Sequence, residues 1–142
     1  LKKKLVSLLT VLSLVTILLA ACGGKAKALK TTDFDNVTMG MSVKDLEKEL
    51  GKPSKVIKDD KKIEELLNED TTSFVQEMAS GSKAAEKFIG DQDEEKLQDM
   101  FGDLDGATKG QVSQYKYKDE DGKEQTRNIY IVEDKVIIMS FN

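Results

Sequence analysis

Hydrophobic positions change their spacing twice along this chain, and each change marks a different kind of structure. Leu5 to Ala21 is an uncharged run rich in Leu, Val and Ile, preceded by Lys2, Lys3 and Lys4. From Ser42 to Phe101 the apolar residues recur every three or four positions, as on one face of a helix. From Gln111 onward they alternate, as in strands with one buried face.

The helical region divides at its own punctuation. Ser42 with Asp45 forms a capping-box variant, and Val43, Leu46 and Leu50 line one face of a helix over 43–50. Gly51 stands where a left-handed cap is wanted, and Pro53 prevents continuation. Val56 and Ile57 suit a brief strand or a loop anchor. Residues 60–101 read as helical, with breaks expected at Asn68 to Thr72, at Gly81 and at Gly90 to Asp93. Apolar stripes run through Ile63, Leu66 and Leu67, through Phe74, Val75 and Met78, and through Ala84, Ala85, Phe88 and Ile89. Asp91 and Asp93 are placed to cap the last piece. That piece ends in Leu97 to Gly102, whose spacing echoes Leu46 to Gly51; both read as independent helix ends, with an ancient duplication as the alternative. Three strands follow, Gln111 to Lys118, Gln125 to Val132 and Lys135 to Phe141, separated by turns at Asp121-Gly122 and Glu133-Asp134. The expected fold is α+β, an N-terminal helical layer packed on a C-terminal antiparallel β-meander of about three strands. Phe34, Val37 and Met39 are expected to plug its core.

The initial run has the charged and apolar regions of a secretory signal. Its end, Leu19-Ala20-Ala21-Cys22 followed by Gly23-Gly24, resembles the lipobox of bacterial lipoprotein precursors. The small residues suit an extended cleavage segment, and the Cys22 thiol is the nucleophile that accepts a diacylglyceryl group. The resemblance implies a signal peptide over 1–21 and a lipid on Cys22 holding the protein to the extracytoplasmic side of the cell membrane. The small, Lys-dotted composition of 22–33 suits a flexible tether, leaving 34–142 as a single α+β domain.

Charge and composition narrow the partners. The chain has 22 bases and 26 acids, and loss of the leader lysines moves the net charge from −4 to about −7. No dense basic stripe is available to displace counterions from nucleic acid. Cys22 is the single cysteine, so no internal disulfide forms, and the absence of His removes the commonest general base and zinc ligand. No cofactor or metal is expected. Ser80-Gly81-Ser82-Lys83 fits a Ser-x-x-Lys pattern without its companion motifs and reads as a helix break with polar caps. Asp103-Leu104-Asp105-Gly106 lacks the remaining acids of a calcium loop and reads as a turn.

Phe34 to Pro53, with Gly40-Met41-Ser42, Leu46 and Gly51-Lys52-Pro53, resembles the opening of small bacterial lipoproteins. Their domain is similar to the β-lactamase-inhibitor-protein fold and to the small lipoprotein of the outer-membrane assembly machinery. The resemblance implies a helical layer on an antiparallel sheet and a non-enzymatic role in binding proteins. This sequence departs from it in the helical stretch 60–90 and in having no Trp.

If both turns have even loops, Tyr117 faces Thr126, Tyr115 faces Asn128 and Tyr130 faces Ile137. Tyr115, Tyr117 and Tyr130 then share one sheet face with Met139 and Phe141, opposite Val112, Ile129, Ile131, Val136 and Ile138. An exposed face of this kind suits a partner protein. The expectation is a lipid-anchored module that binds a protein or cell-envelope component through that tyrosine face; the alternative is an enzyme, or enzyme accessory, acting on the cell wall.

Overall fold

A computed structural model describes residues 28–102 and 109–141. The leader, the lipobox with Cys22 and the Asp103 to Gly106 turn lie outside the described residues. Helix and sheet are both present, and the sheet is mainly antiparallel, in keeping with an α+β class. Strand β1 is Leu29–Lys30 and leads into a 3-10 turn over Thr31–Asn36. Four helices follow: α1 Val43–Leu50, α2 Asp60–Ala79, α3 Lys83–Ile89 and α4 Glu94–Gly102, with strand β2, Lys55–Ile57, between the first two. Strands β3 Gln111–Lys118, β4 Glu124–Val132 and β5 Lys135–Met139 complete the sheet. Structure therefore starts before Phe34. Leu29 is buried and paired beside Tyr117, so the expected tether over 22–33 extends too far by at least these residues.

Capping explains most helix limits. The Ser42 hydroxyl accepts the Asp45 amide at 3.2 Å and starts α1. Gly51 ends it with φ 79° and ψ −165°. The sign of φ is as expected, but the extended ψ is not the left-handed helical value; this region is open essentially to Gly. Asp93 caps α4 by accepting the Lys96 amide at 2.8 Å.

One expected break is absent. Helix α2 runs without interruption through Asn68 to Thr72. Its polar residues there are accommodated: the Thr72 hydroxyl donates to the Asn68 carbonyl at 3.1 Å, and Asp70 is buried against the sheet. Tertiary contacts outweigh the weak helix propensity of Asn, Asp and Thr. The same helix turns Val75 outward, 54 % exposed, while Ile63 and Phe74 are fully buried.

The meander is joined by two further strands rather than standing alone. β1 pairs parallel to the end of β3, and β2 pairs antiparallel to its start. On the far side β5 is shielded by the segment before α1. The Gly40 amide donates to Val136 O at 2.7 Å and the Val136 amide donates to Met41 O at 2.8 Å. These bonds occupy backbone groups that an open strand edge would leave unpaired.

β4 is interior, and Arg127 to Ile131 are all buried despite pointing alternately to opposite faces. Both faces of its centre are therefore covered, and the expectation of one buried face and one open face fails at this strand. Phe141, just past β5, stacks on Phe74 of α2 at 5.8 Å between ring centroids and meets Phe88 of α3 edge-on at 6.1 Å.

Candidate functional site

The β3–β4 register decides which side chains can form a site. Lys118 pairs with Glu124, leaving a five-residue connection, 119–123, rather than an even one. Asp119 closes it: one carboxylate oxygen accepts the Asp121 and Lys123 amides at 3.0 and 2.9 Å, and the other accepts from Gln125 Nε2 at 2.9 Å. The Gln125 bond, then the backbone amides, hold its carboxyl below the usual range. Tyr117 consequently faces Gln125, Tyr115 faces Arg127 and Tyr130 faces Val112. An irregularity between Tyr130 and Ile131 further shifts Tyr130 onto Ile138.

The expected tyrosine patch is therefore corrected. Tyr115 and Tyr117 point to one face and Tyr130 to the other, and all three are buried, at 2 %, 5 % and 0 % exposure. The physical cause is packing on both sides. Phe34 meets Tyr117 and Tyr115 edge-on at 5.2 and 6.5 Å, and Tyr115 donates its hydroxyl to the Gly51 carbonyl at 3.1 Å. Burial, with a smaller contribution from Glu47, pushes the Tyr115 phenol well above its ordinary value.

On the Tyr130 face the register assembles a polar network. Asp70 of α2, 2 % exposed, accepts from Asn128 Nδ2 at 2.9 Å and from the Tyr130 hydroxyl. Gln114 Nε2 donates to Asn128 Oδ1 at 2.9 Å, and the Ser140 hydroxyl accepts the Asn128 amide at 2.9 Å. Burial first, and Asp70 second, push the Tyr130 phenol far up. This network fastens α2 to β3, β4 and the residue just past β5.

On the Tyr115 face sits Arg127, 6 % exposed. Its guanidinium carbon lies 4.7 Å from the Phe34 ring centroid, 4.9 Å from Tyr117 and 5.7 Å from Phe141. It donates to the Tyr117 hydroxyl at 3.3 Å, and its buried Nε has no partner. Among the described residues no carboxylate forms an ion pair with it. Burial lowers its pKa, while Tyr117 and the more distant Asp35 and Glu77 act to raise it. A cavity of about 350 Å³ opens beside it, lined by Thr31, Tyr117, Gln125 and Phe141 and by the hairpin acids Asp119, Glu120 and Asp121. Arg127 is thus a buried cation bordering a depression whose rim is acidic.

Neither Asp70 nor Arg127 was singled out from sequence, though both left a signal. Asp70 is the acid on the helical stripe Ile63, Leu67, Asp70, Phe74, and Arg127 alternates with Ile129 and Ile131. Elsewhere, Ser80 donates its hydroxyl to the Glu77 carbonyl at 2.9 Å and Ser82 caps α3 by accepting the Ala85 amide at 3.5 Å. Among the described residues no group of three or more acidic or sulfur side chains is arranged to hold a metal, and no helix is long and apolar enough to cross a membrane. No family model, curated protein or solved structure matches the chain.

Proposed function

We propose that this is a lipid-anchored extracytoplasmic protein whose domain binds a protein or another cell-envelope component without catalysing a reaction. The address is supported by Lys2 to Lys4, the apolar run and Leu19-Ala20-Ala21-Cys22. The observation that carries the binding reading is Arg127, buried among Phe34, Tyr117 and Phe141 with its Nε unused beside an open cavity. Desolvating a cation without an ion pair is costly, which makes Arg127 a candidate for binding as well as for packing. The Tyr115, Tyr117 and Tyr130 patch is replaced as the binding surface by this cavity. The favoured occupant is a segment carrying a carboxylate for Arg127 beside cationic groups for Asp119, Glu120 and Asp121.

A photo-crosslinking residue at Glu120, compared with one at exposed Glu64 on α2, tests the site in cells. A discrete adduct from position 120, lost on Gln125→Arg substitution, is expected. Equal adducts from both positions, or turnover of a wall substrate by the purified protein, would overturn the reading. Cys22→Ala should release the protein from the membrane fraction, and intact mass should show a diacylglyceryl group on Cys22 with residues 1–21 removed.

A further inference from the structure

The strand register gathers cations as well as core residues. Lys30 pairs with Lys118, Lys55 pairs with Gln114, and Gln114, Lys116 and Lys118 alternate along β3. Directly paired residues point to the same face, so Lys30, Lys55, Lys116 and Lys118 share one side of the sheet. All four are exposed. Glu124, opposite Lys118, is the one acid that these paired strands carry on that side, and it bonds Lys116 at 3.4 Å. Among the described residues no ion pair holds Lys30, Lys55 or Lys118. The hairpin acids Asp119, Glu120 and Asp121 line the cavity beside Arg127, which belongs to the opposite face. On this same face Asp70 of α2 is held by Asn128, beside Gln114, so the cationic patch is a local one on a chain whose net charge is −4.

Its position relative to the anchor gives the patch a partner. Cys22 precedes Leu29 by seven residues, a stretch that reaches no more than about 25 Å even when fully extended. A domain of about 100 residues is wider than that, having a radius of gyration near 13 Å. The surface around β1 is therefore the part that a lipid on Cys22 would hold against the membrane. Between Lys30, Lys116 and Lys118 lies a shallow, mainly apolar depression of about 300 Å³, bordered also by Ala28, Leu29, Tyr117 and Glu124. That combination fits a bilayer's phosphate layer above its hydrocarbon.

We infer that Lys30, Lys55, Lys116 and Lys118 form a membrane-apposed face that binds anionic phospholipid headgroups and so fixes which side of the domain meets the bilayer. The inference rests on the lipid-anchor reading and adds an orientation to it.

The test uses the full mature protein, extracted from membranes and reconstituted on vesicles of phosphatidylcholine with or without phosphatidylglycerol. Lysine reactivity toward an amine-acylating reagent is read by peptide mass spectrometry, and intact mass reports the lipid on Cys22. Protection of the four lysines by about three-fold or more on the anionic vesicles is expected, with Lys83 and Lys96 unchanged and the effect removed at about 0.5 M salt. A Lys30→Gln/Lys116→Gln/Lys118→Gln variant with an unchanged circular-dichroism spectrum should lose the protection at Lys55. Lipid on Cys22 with equal reactivity on both vesicles overturns the orientation while leaving the anchor reading intact. Absence of lipid on Cys22 overturns both. Equal protection by soluble poly(glycerol phosphate) would assign the patch to a wall polymer and also overturn the inference.

Discussion

Asp70, packed on β4 from α2, and Arg127, within β4, are both charged-type side chains buried on opposite faces of that strand, and the protein treats them differently. Asp70 meets two donors, Asn128 and Tyr130, which are themselves held by Gln114, Ser140 and the strand ladder. Arg127 meets three aromatic rings and one hydroxyl, keeps a donor unused, and borders a cavity. A buried polar group held by several hydrogen bonds fixes the packing of the elements that supply them. A buried cation surrounded by π faces is held more loosely, by interactions of about 0.5 to 2 kcal/mol each that do not occupy its N–H groups. The difference teaches that burial alone does not say what a polar side chain does; what separates the two is whether the polar atoms are already occupied.

The largest effect should come from the occupied side. Asp70→Ala leaves the Tyr130 hydroxyl and the Asn128 amide without their acceptor in the interior, and should cost about 3 kcal/mol in urea unfolding. A loss below about 1 kcal/mol would erase the contrast with Arg127.

Alkali should come next. The phenols of Tyr130 and Tyr115 are raised in the folded state above their ordinary value of 10.0. The unfolded chain releases these protons first, so their contribution is complete below pH 10 and is lost as pH rises above it. Stability should fall by up to about 1.4 kcal/mol per pH unit for each tyrosine, read as the urea midpoint from pH 8 to 11. Tyr130→Phe should flatten the decline while lowering the stability at pH 8.

Arg127→Met keeps most of the buried volume while removing the charge, and should change stability by about 1 kcal/mol or less in either direction. The same variant should abolish the adduct formed from position 120. A loss as large as that for Asp70→Ala, with the adduct retained, would make Arg127 a structural residue. The smallest effect belongs to the rim of the network. Gln114 is only partly buried, so water can replace its bond to Asn128, and Gln114→Ala should cost about 0.5 to 1 kcal/mol in the same unfolding measurement.

Local patterning was a reliable guide wherever one element decided its own shape. The helix 43–50 and the limits of β3 were legible because caps, glycine and alternation act over a few residues. The candidate site was much less legible. Its geometry depends on the parity of the connection at 119–123, and the Asp121-Gly122 turn signal does not distinguish an even loop from an odd one. One residue of difference sends Tyr130 to the face opposite Tyr115 and brings Arg127 beside it instead.

The sequence by itself determined the mixed helix-and-sheet class and the order of the helices and the last three strands, because these depend on spacing and residue type along a short stretch. Only the tertiary structure decided that β4 is covered on both faces, that α2 continues through Asn68 to Thr72, and that four lysines from three strands share a surface. Those outcomes depend on register and on packing between segments far apart in the chain. A hydroxyl from β4 must reach a carboxylate on α2 before the helix gains its reason to stay unbroken, and no local pattern carries that information.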